Sequence, residues 1–228
     1  MGRKVDSGST NRPVDRVNTV SATAFVVGGL LFALGAALAQ GDVGGPRLPA
    51  AVFLAGGVFF TTGAYAGVLL TANAPAAAGR PAGPWRWWPL APGQRRWSSA
   101  VVLFVGTLYF GASLLVALIG DLSSAQMDRL VWSPEVVGCV LFLLSGQLAL
   151  ADLRRDRARG EQVELEWWIA VVNQLGSVLF MVAAVAAFAR PTSGDELAVG
   201  VANWGTLTGA LCFAMAGAMQ EFDRPAQS

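Results

Sequence analysis

The chain is predicted to be an all-α, polytopic transmembrane bundle of six helices, built as three repeated helical hairpins. Three observations lead there. Of the 228 residues, 54% are hydrophobic and only 14% charged, whereas a soluble domain carries about 25% charged residues. The charged residues fall in short segments separated by apolar stretches of about 20 residues, the length a helix needs to cross ~30 Å of hydrocarbon at 1.5 Å per residue. Finally, those stretches are apolar on all sides, without the alternation of barrel strands, and in lipid a helix satisfies every backbone N–H and C=O within its own segment.

Six spans follow in order. Residues 1–16 are polar and read as a disordered cytoplasmic N-terminus. Hairpin 1, residues 17–72, holds Val20–Ala39 and Pro49–Thr71. A cleavable leader ending near residue 39 competes for the first span, because Arg3 and Lys4 precede it and Ala37-Leu38-Ala39 stands before Gln40. Asp6, Asp15 and the length of the apolar run weigh against cleavage. Residues 73–96 form a Pro/Trp/Arg loop with the run Pro84-Trp85-Arg86-Trp87-Trp88-Pro89. Between two spans this composition reads as interfacial anchoring, with indoles at headgroup level and Arg against lipid phosphate. Hairpin 2, residues 97–153, holds Ser98–Ile119 and Pro134–Ala151. A basic connection, residues 154–166, leads to hairpin 3, residues 167–221, with spans Trp167–Ala189 and Ala198–Met219. Residues 222–228 are a tail.

Basic residues set the orientation. Thirteen fall on the side taken as cytoplasmic: Arg3, Lys4, Arg12, Arg16, Arg80, Arg86, Arg95, Arg96, Arg154, Arg155, Arg157, Arg159 and Arg224. Three, Arg47, Arg129 and Arg190, fall on the other. The alternation holds at every loop and places both termini in the cytoplasm of a bacterial cell, with the protein in its plasma membrane.

Each span also carries Gly, then Phe four residues later, then a small residue three beyond. The instances are Gly28/Phe32/Gly35, Gly56/Phe60/Gly63, Gly106/Phe110/Ser113, Gly138/Phe142/Ser145, Gly176/Phe180/Ala183 and Gly209/Phe213/Ala216. At ~100° per residue these offsets lie within an arc of about 60°. Each helix therefore presents one stripe on which small residues flank a ring, and small residues let helices approach closely in lipid. The expectation is that each Phe fills a groove opened by a neighbour's Gly; a ligand pocket lined by the rings is the alternative. Gly63/Gly67 and Gly205/Gly209 add GxxxG pairs. Within successive pairs the motif Gly residues stand 28, 32 and 33 apart, and between pairs 50 and 38. The natural unit is a hairpin of about 55 residues, and Trp97 and Trp167 each stand nine residues before their motif Gly.

The third hairpin, with Trp167-Trp168, Asn173-x-x-Gly176-Ser177-x-x-Phe180 and Asn203-Trp204-Gly205-Thr206-x-x-Gly209-x-x-x-Phe213, resembles the YrhK-like family of small bacterial membrane domains. The resemblance is best over residues 167–219 and looser over 97–152. The first hairpin lacks the Asn and Trp positions. Since that family has no defined activity, the resemblance implies a fold and a location but no reaction.

Net charge is +1, which gives no argument for a nucleic-acid partner. Histidine is absent, which removes the usual haem, zinc and proton-relay ligand. Cys139 and Cys212 read as small apolar residues, and no phosphate loop, zinc motif, CxxC or nucleophile elbow occurs. No catalytic residue, metal or cofactor is therefore expected. The candidate intramembrane polar residues are Glu135, Gln147, Asn173, Asn203 and Thr206, since polar groups at that depth are costly. Gln174 belongs with them, and Asp152 and Glu221 read as solvated helix ends. Glu135 with Asn203 and Thr206 would form an outer cluster if the fourth and sixth helices adjoined. The plainer reading of Glu135 is an acid in a first helical turn behind Ser133-Pro134, and that of Asn173 an interhelical hydrogen bond.

The expected function is that of a non-enzymatic membrane structural, sensing or partner-binding protein. The alternative is a small-solute or ion permease with a polar site between the fourth, fifth and sixth helices. Expected partners are the bilayer, anionic headgroups at the Arg/Trp segments, and a homo-oligomer or another membrane protein.

Overall fold

The protein is described by a computed structural model over residues 12–73, 85–88, 90–120, 122–188 and 196–222. Among the described residues, six helices are long and apolar enough to cross a membrane: α1 (Pro13–Gln40), α2 (Arg47–Asn73), α3 (Arg95–Ile119), α4 (Ser124–Ala158), α5 (Glu164–Ala186) and α6 (Val199–Phe222). The chain is a multi-pass membrane protein. Expectations for the N-terminal arm, for residues 74–84 and for the tail after Phe222 lie outside the described residues.

Most helices run past the spans read from hydropathy, because a backbone ladder continues into water beyond the apolar layer. The largest difference is at α4, which starts at Ser124 rather than Pro134. Ser123 caps it in a reciprocal box with Gln126, and the ladder then widens to a π-helical turn over Asp128–Trp132. Pro134 brings no N–H to the helix, and a wide turn just ahead of it is one way to absorb that loss. Ser133 Oγ donates to the Asp128 carbonyl at 2.8 Å. Glu135 therefore lies about three turns inside a continuous helix, not in a first turn facing a helix dipole. In the α1–α2 turn, Gly44 and Gly45 adopt φ of 75° and 66°, a region open to glycine without a Cβ penalty.

The helices form a closed ring. Each packs against its chain neighbours, and α6 returns to pack on α1. The fourth helix thus lies beside the third and fifth rather than the sixth, so the condition for a cluster of Glu135 with Asn203 and Thr206 is not met. At the seam, the Asn18 and Gln220 side chains pair, Nε2 of Gln220 donating to Asn18 Oδ1 at 3.1 Å, and Thr19 Oγ1 donates to Glu221 at 3.0 Å. Glu221 is thus a seam partner as well as a solvated end. One end of the ring carries residues 12 and 222 and is called the terminal face; the other is the turn face.

Six rings fill the middle: Phe32, Phe60, Phe110, Phe142, Phe180 and Phe213, each at most 6% exposed. Their contacts have a definite pattern. Phe32, Phe110 and Phe180, from α1, α3 and α5, touch one another with centroids 5.7–6.0 Å apart. Phe60, Phe142 and Phe213, from α2, α4 and α6, form a second triangle at 5.1–6.5 Å. Within each hairpin one ring of each triangle meets the other, at 5.3–5.9 Å. The plug is a triangular prism, mostly of edge-to-face pairs, the arrangement that ring quadrupoles favour.

The motif glycines make the prism possible. A Cβ on Gly56 would stand 3.1 Å from both the Gly28 carbonyl and the Phe32 ring; one on Gly106 would stand 2.8 Å from Phe142; one on Gly209 would stand 2.5 Å from Phe180. Each ring thus rests on the bare backbone of its hairpin partner. The two GxxxG pairs behave differently from each other. Gly205 and Gly209 both meet α5, whereas Gly63 meets Phe25 and Gly67 has no heavy atom within 4 Å of a built Cβ. Gly67 opens instead onto the cavity described next. Serine strengthens two hairpins at matching places: Ser21 Oγ donates to the Gly63 carbonyl at 3.0 Å, and Ser99 and Ser145 each donate to the other's carbonyl at 2.9 and 2.8 Å.

Candidate functional site: a vestibule at the terminal face

On the terminal side of the Phe prism the ring does not fill. All six helices line a cavity of about 320 Å³ that ends inward on Phe25, Phe142 and Phe213. Beyond it, between the rings, lies a void of about 10 Å³, lined by Phe side chains with Gly57 and Thr107. A void of that size holds about one water at most, and the Thr107 hydroxyl is already engaged with the Phe104 carbonyl at 2.7 Å.

The cavity wall is mostly apolar because it is made by the same small-residue stripes one or two turns outward: Ala64, Gly67, Ala100, Gly146, Ala149 and Ala170 leave room where larger residues would meet. The polar groups sit toward the mouth. Arg96, in the first turn of α3, reaches three carboxylates from two other helices. Its Nη2 is 2.7 Å from Asp156 and 3.3 Å from Glu166, and its Nε is 3.3 Å from Asp152. The Arg96 side chain is half exposed, whereas Asp156 is buried. One guanidinium thus ties α3, α4 and α5 at the rim, and the fork geometry of Arg suits bonds to several carboxylates. Arg159 adds a 3.5 Å pair with Asp156.

Of the candidate intramembrane polar residues, Asn173 lines this cavity. The others lie elsewhere. Gln147 is exposed on the outside of α4, while its neighbours Ser145, Gly146 and Ala149 face inward. Glu135 is half-buried in the turn-face half of α4, where Glu196 brings a second carboxylate near it. Asn203 donates to Gln40 Oε1 at 3.1 Å across the α6–α1 seam. Thr206 is half-buried one turn further along α6. Gln174 turns its Oε1 into the α4–α5 contact, against Gly146 and without a hydrogen-bond partner. These residues do not gather into one polar site.

The sequence reading passed over Arg96 as a topology charge and over Asp152 as a solvated helix end. Asp152 and Asp156 stand one helical turn apart among arginines, and that spacing was the available signal. The basic last turns of α4 are likewise engaged within the protein: Arg157 pairs with Glu164 and lies 5.0 Å over the Trp167 ring, with Arg154 at 6.0 Å. In the Trp-rich loop, Tyr65 donates to the Trp87 carbonyl at 2.7 Å, and the Asn73 amide bonds both backbone groups of Arg86. Trp88 is 81% exposed, as an anchor in the headgroup layer would be. Among the described residues no three His, Cys, Asp or Glu side chains are placed to hold a metal ion.

Compared with known proteins, the chain has no significant match to a family model, to a curated protein or to a solved structure.

Proposed function

We propose that this protein is a non-enzymatic membrane component that works by binding a ligand or partner at its terminal face, not by moving solutes across the bilayer. The observation that supports this reading is the Phe prism. Six buried rings in two layers occupy the axis at mid-depth, and the vestibule stops against them. A permease of this size needs a polar path or a broken helix at that depth. The polar side chains that line the cavity belong to the terminal half; deeper along α3, Thr107 and Ser113 spend their hydroxyls on the Phe104 and Phe110 carbonyls of their own helix, and Glu135 stands beyond the plug from the cavity.

In this reading the terminal face is cytoplasmic, following the arginine bias, and the membrane is the bacterial plasma membrane. The Trp and Arg segments at that face meet anionic headgroups. The three hairpins are copies of one unit, and the third is a YrhK-like hairpin. Support for the common unit comes from matching contacts: Gly28 with Gly56, Gly106 with Gly138 and Gly176 with Gly209 meet in each hairpin, a Cβ on one standing 3.0–3.1 Å from the other's carbonyl.

Flux into proteoliposomes tests the transport alternative. Protons, alkali cations, halides and small neutral solutes are expected to enter no faster than into protein-free vesicles. A saturable flux that falls in Glu135→Gln overturns the proposal. Reporter fusions at residues 125 and 228 are expected in opposite compartments, with residue 228 inside; a reporter at residue 228 found outside overturns the orientation.

A further inference from the structure

We infer that the vestibule binds a lipophilic organic monocation: a compact apolar body carrying one positive charge. This deepens the binding reading above and rests on it. Size comes first. A cavity of about 320 Å³ falls at the lower end of the ~300–1,000 Å³ typical of small-molecule sites. Its wall is mostly apolar, with Gly, Ala, Leu and Phe from all six helices. The buried serine hydroxyls in it are already bonded to carbonyls: Ser99 and Ser145 to each other's, Ser21 to that of Gly63 and Ser177 to that of Asn173. A sugar or another ligand with many hydroxyls would lose its water for fewer partners than it needs, since the Asn18 and Gln220 amides are paired with each other and unfilled hydrogen bonds are costly. An apolar body loses nothing.

Charge decides the rest. The charged groups lining the cavity are Arg96, Asp152 and Glu166, two carboxylates against one guanidinium. The closest partner of Arg96 is a further carboxylate, Asp156, at 2.7 Å, which also pairs with Arg159 at 3.5 Å, so three carboxylates stand against two guanidiniums. The rim therefore carries excess negative charge, and the low-dielectric walls focus that field into the cavity. An organic anion of equal size is opposed by the same field. A small inorganic cation holds its hydration too strongly for an apolar wall. A neutral apolar molecule gains no more here than in the surrounding lipid. A cation with an apolar body gains on both counts, and the aromatic floor of Phe25, Phe142 and Phe213 suits such a ligand.

The experiment uses the full chain in nanodiscs, with protein-free nanodiscs as blank, and three probes in equilibrium dialysis: tetraphenylphosphonium, tetraphenylborate of the same shape and opposite charge, and tetramethylammonium. Tetraphenylphosphonium is expected to bind saturably, tetraphenylborate about tenfold more weakly or less, and tetramethylammonium not at all. Gly67→Phe has open space at its Cβ and puts a ring into the cavity; it should abolish binding with unchanged helicity and unfolding. Asp152→Asn with Glu166→Gln should weaken binding about tenfold. Equal binding of the phosphonium and the borate overturns the ligand class. Binding that ignores Gly67→Phe overturns the site. Protein-dependent passage of the bound phosphonium across vesicles overturns the reading of a blind vestibule, while saturable, charge-selective binding still upholds this one.

Discussion

Gly29 sits where α6 closes the ring on α1, and replacing it with Ala tests whether that closure holds the bundle together. A Cβ there would stand 2.7 Å from the Ala210 carbonyl oxygen and 2.9 Å from both the Ala214 nitrogen and its Cβ. Ordinary non-bonded separations are about 3.5–4.0 Å, so the two helices must part by about 0.7 Å or more. A radial gap of 0.5–1 Å forfeits about a quarter to a half of each dispersion contact it opens. In lipid, dispersion is a main force between helices, since the hydrophobic effect drives none of their association. Overpacking costs about 1–3 kcal/mol in general. Here two of the obstructing atoms are backbone and cannot rotate away, which puts Gly29→Ala at about 2–3 kcal/mol. Gly111→Ala, on α3, is the control, because nothing lies within 4 Å of its Cβ; it should stay within about 0.5 kcal/mol of the parent. Equilibrium unfolding in mixed micelles titrated with dodecyl sulfate, followed by circular dichroism, reads both. Coincident curves for the two variants would refute a tightly closed α1–α6 seam.

Three further outcomes follow from the same contacts. Ser99→Ala and Ser145→Ala should each cost about 0.6–2 kcal/mol, and the double variant should cost less than their sum, because either deletion already breaks the reciprocal pair; strict additivity in the same titration would contradict it. Gly146→Ala places a methyl where the Gln174 Oε1 lies, 1.8 Å from the built Cβ, so it should destabilise by about 1 kcal/mol and be largely rescued by Gln174→Ala, with no rescue counting against the α4–α5 contact. Arg96→Gln leaves Asp152, Asp156 and Glu166 crowded without their common cation; it should destabilise the bundle, and adding Asp156→Asn, which removes one of the crowded charges, should recover part of the loss in the same titration, whereas no recovery would show that the clamp acts by packing alone.

The legible part of this protein was the part written in single helices. Span number follows from apolar length, and the stripes follow from helical periodicity, so Phe32, Phe60, Phe110, Phe142, Phe180 and Phe213 were identifiable without coordinates. All six are buried on one axis. The candidate polar residues fared differently, for a stated reason. Depth in the membrane is readable from position along a span, but the direction a residue faces depends on which helices flank it. Gln147 and Asn173 lie at similar depth, yet one faces outward and the other lines the vestibule. Arg96 was misread because its partners come from α4 and α5, and no local pattern joins residues 96, 152 and 166. The long α4 was misjudged because Pro134 is usually a helix start, whereas a π-helical turn ahead of it lets the ladder run through.

The amino-acid order by itself determined that this is a membrane protein of six helices, because backbone polarity in lipid leaves a 20-residue apolar stretch one spanning form. It also determined which face of each helix bears glycine and phenylalanine, since that is a matter of 3.6-residue periodicity. Only the tertiary structure decided that the helices close into a ring, that the six rings stack as two triangles, and that the space left over is a cavity open at one end with an acid-rich rim. Closure is a contact between the first and last helices, set by how small residues at Gly29 and Gly217 let backbones approach; the shape of an enclosed space exists only once every wall is in place.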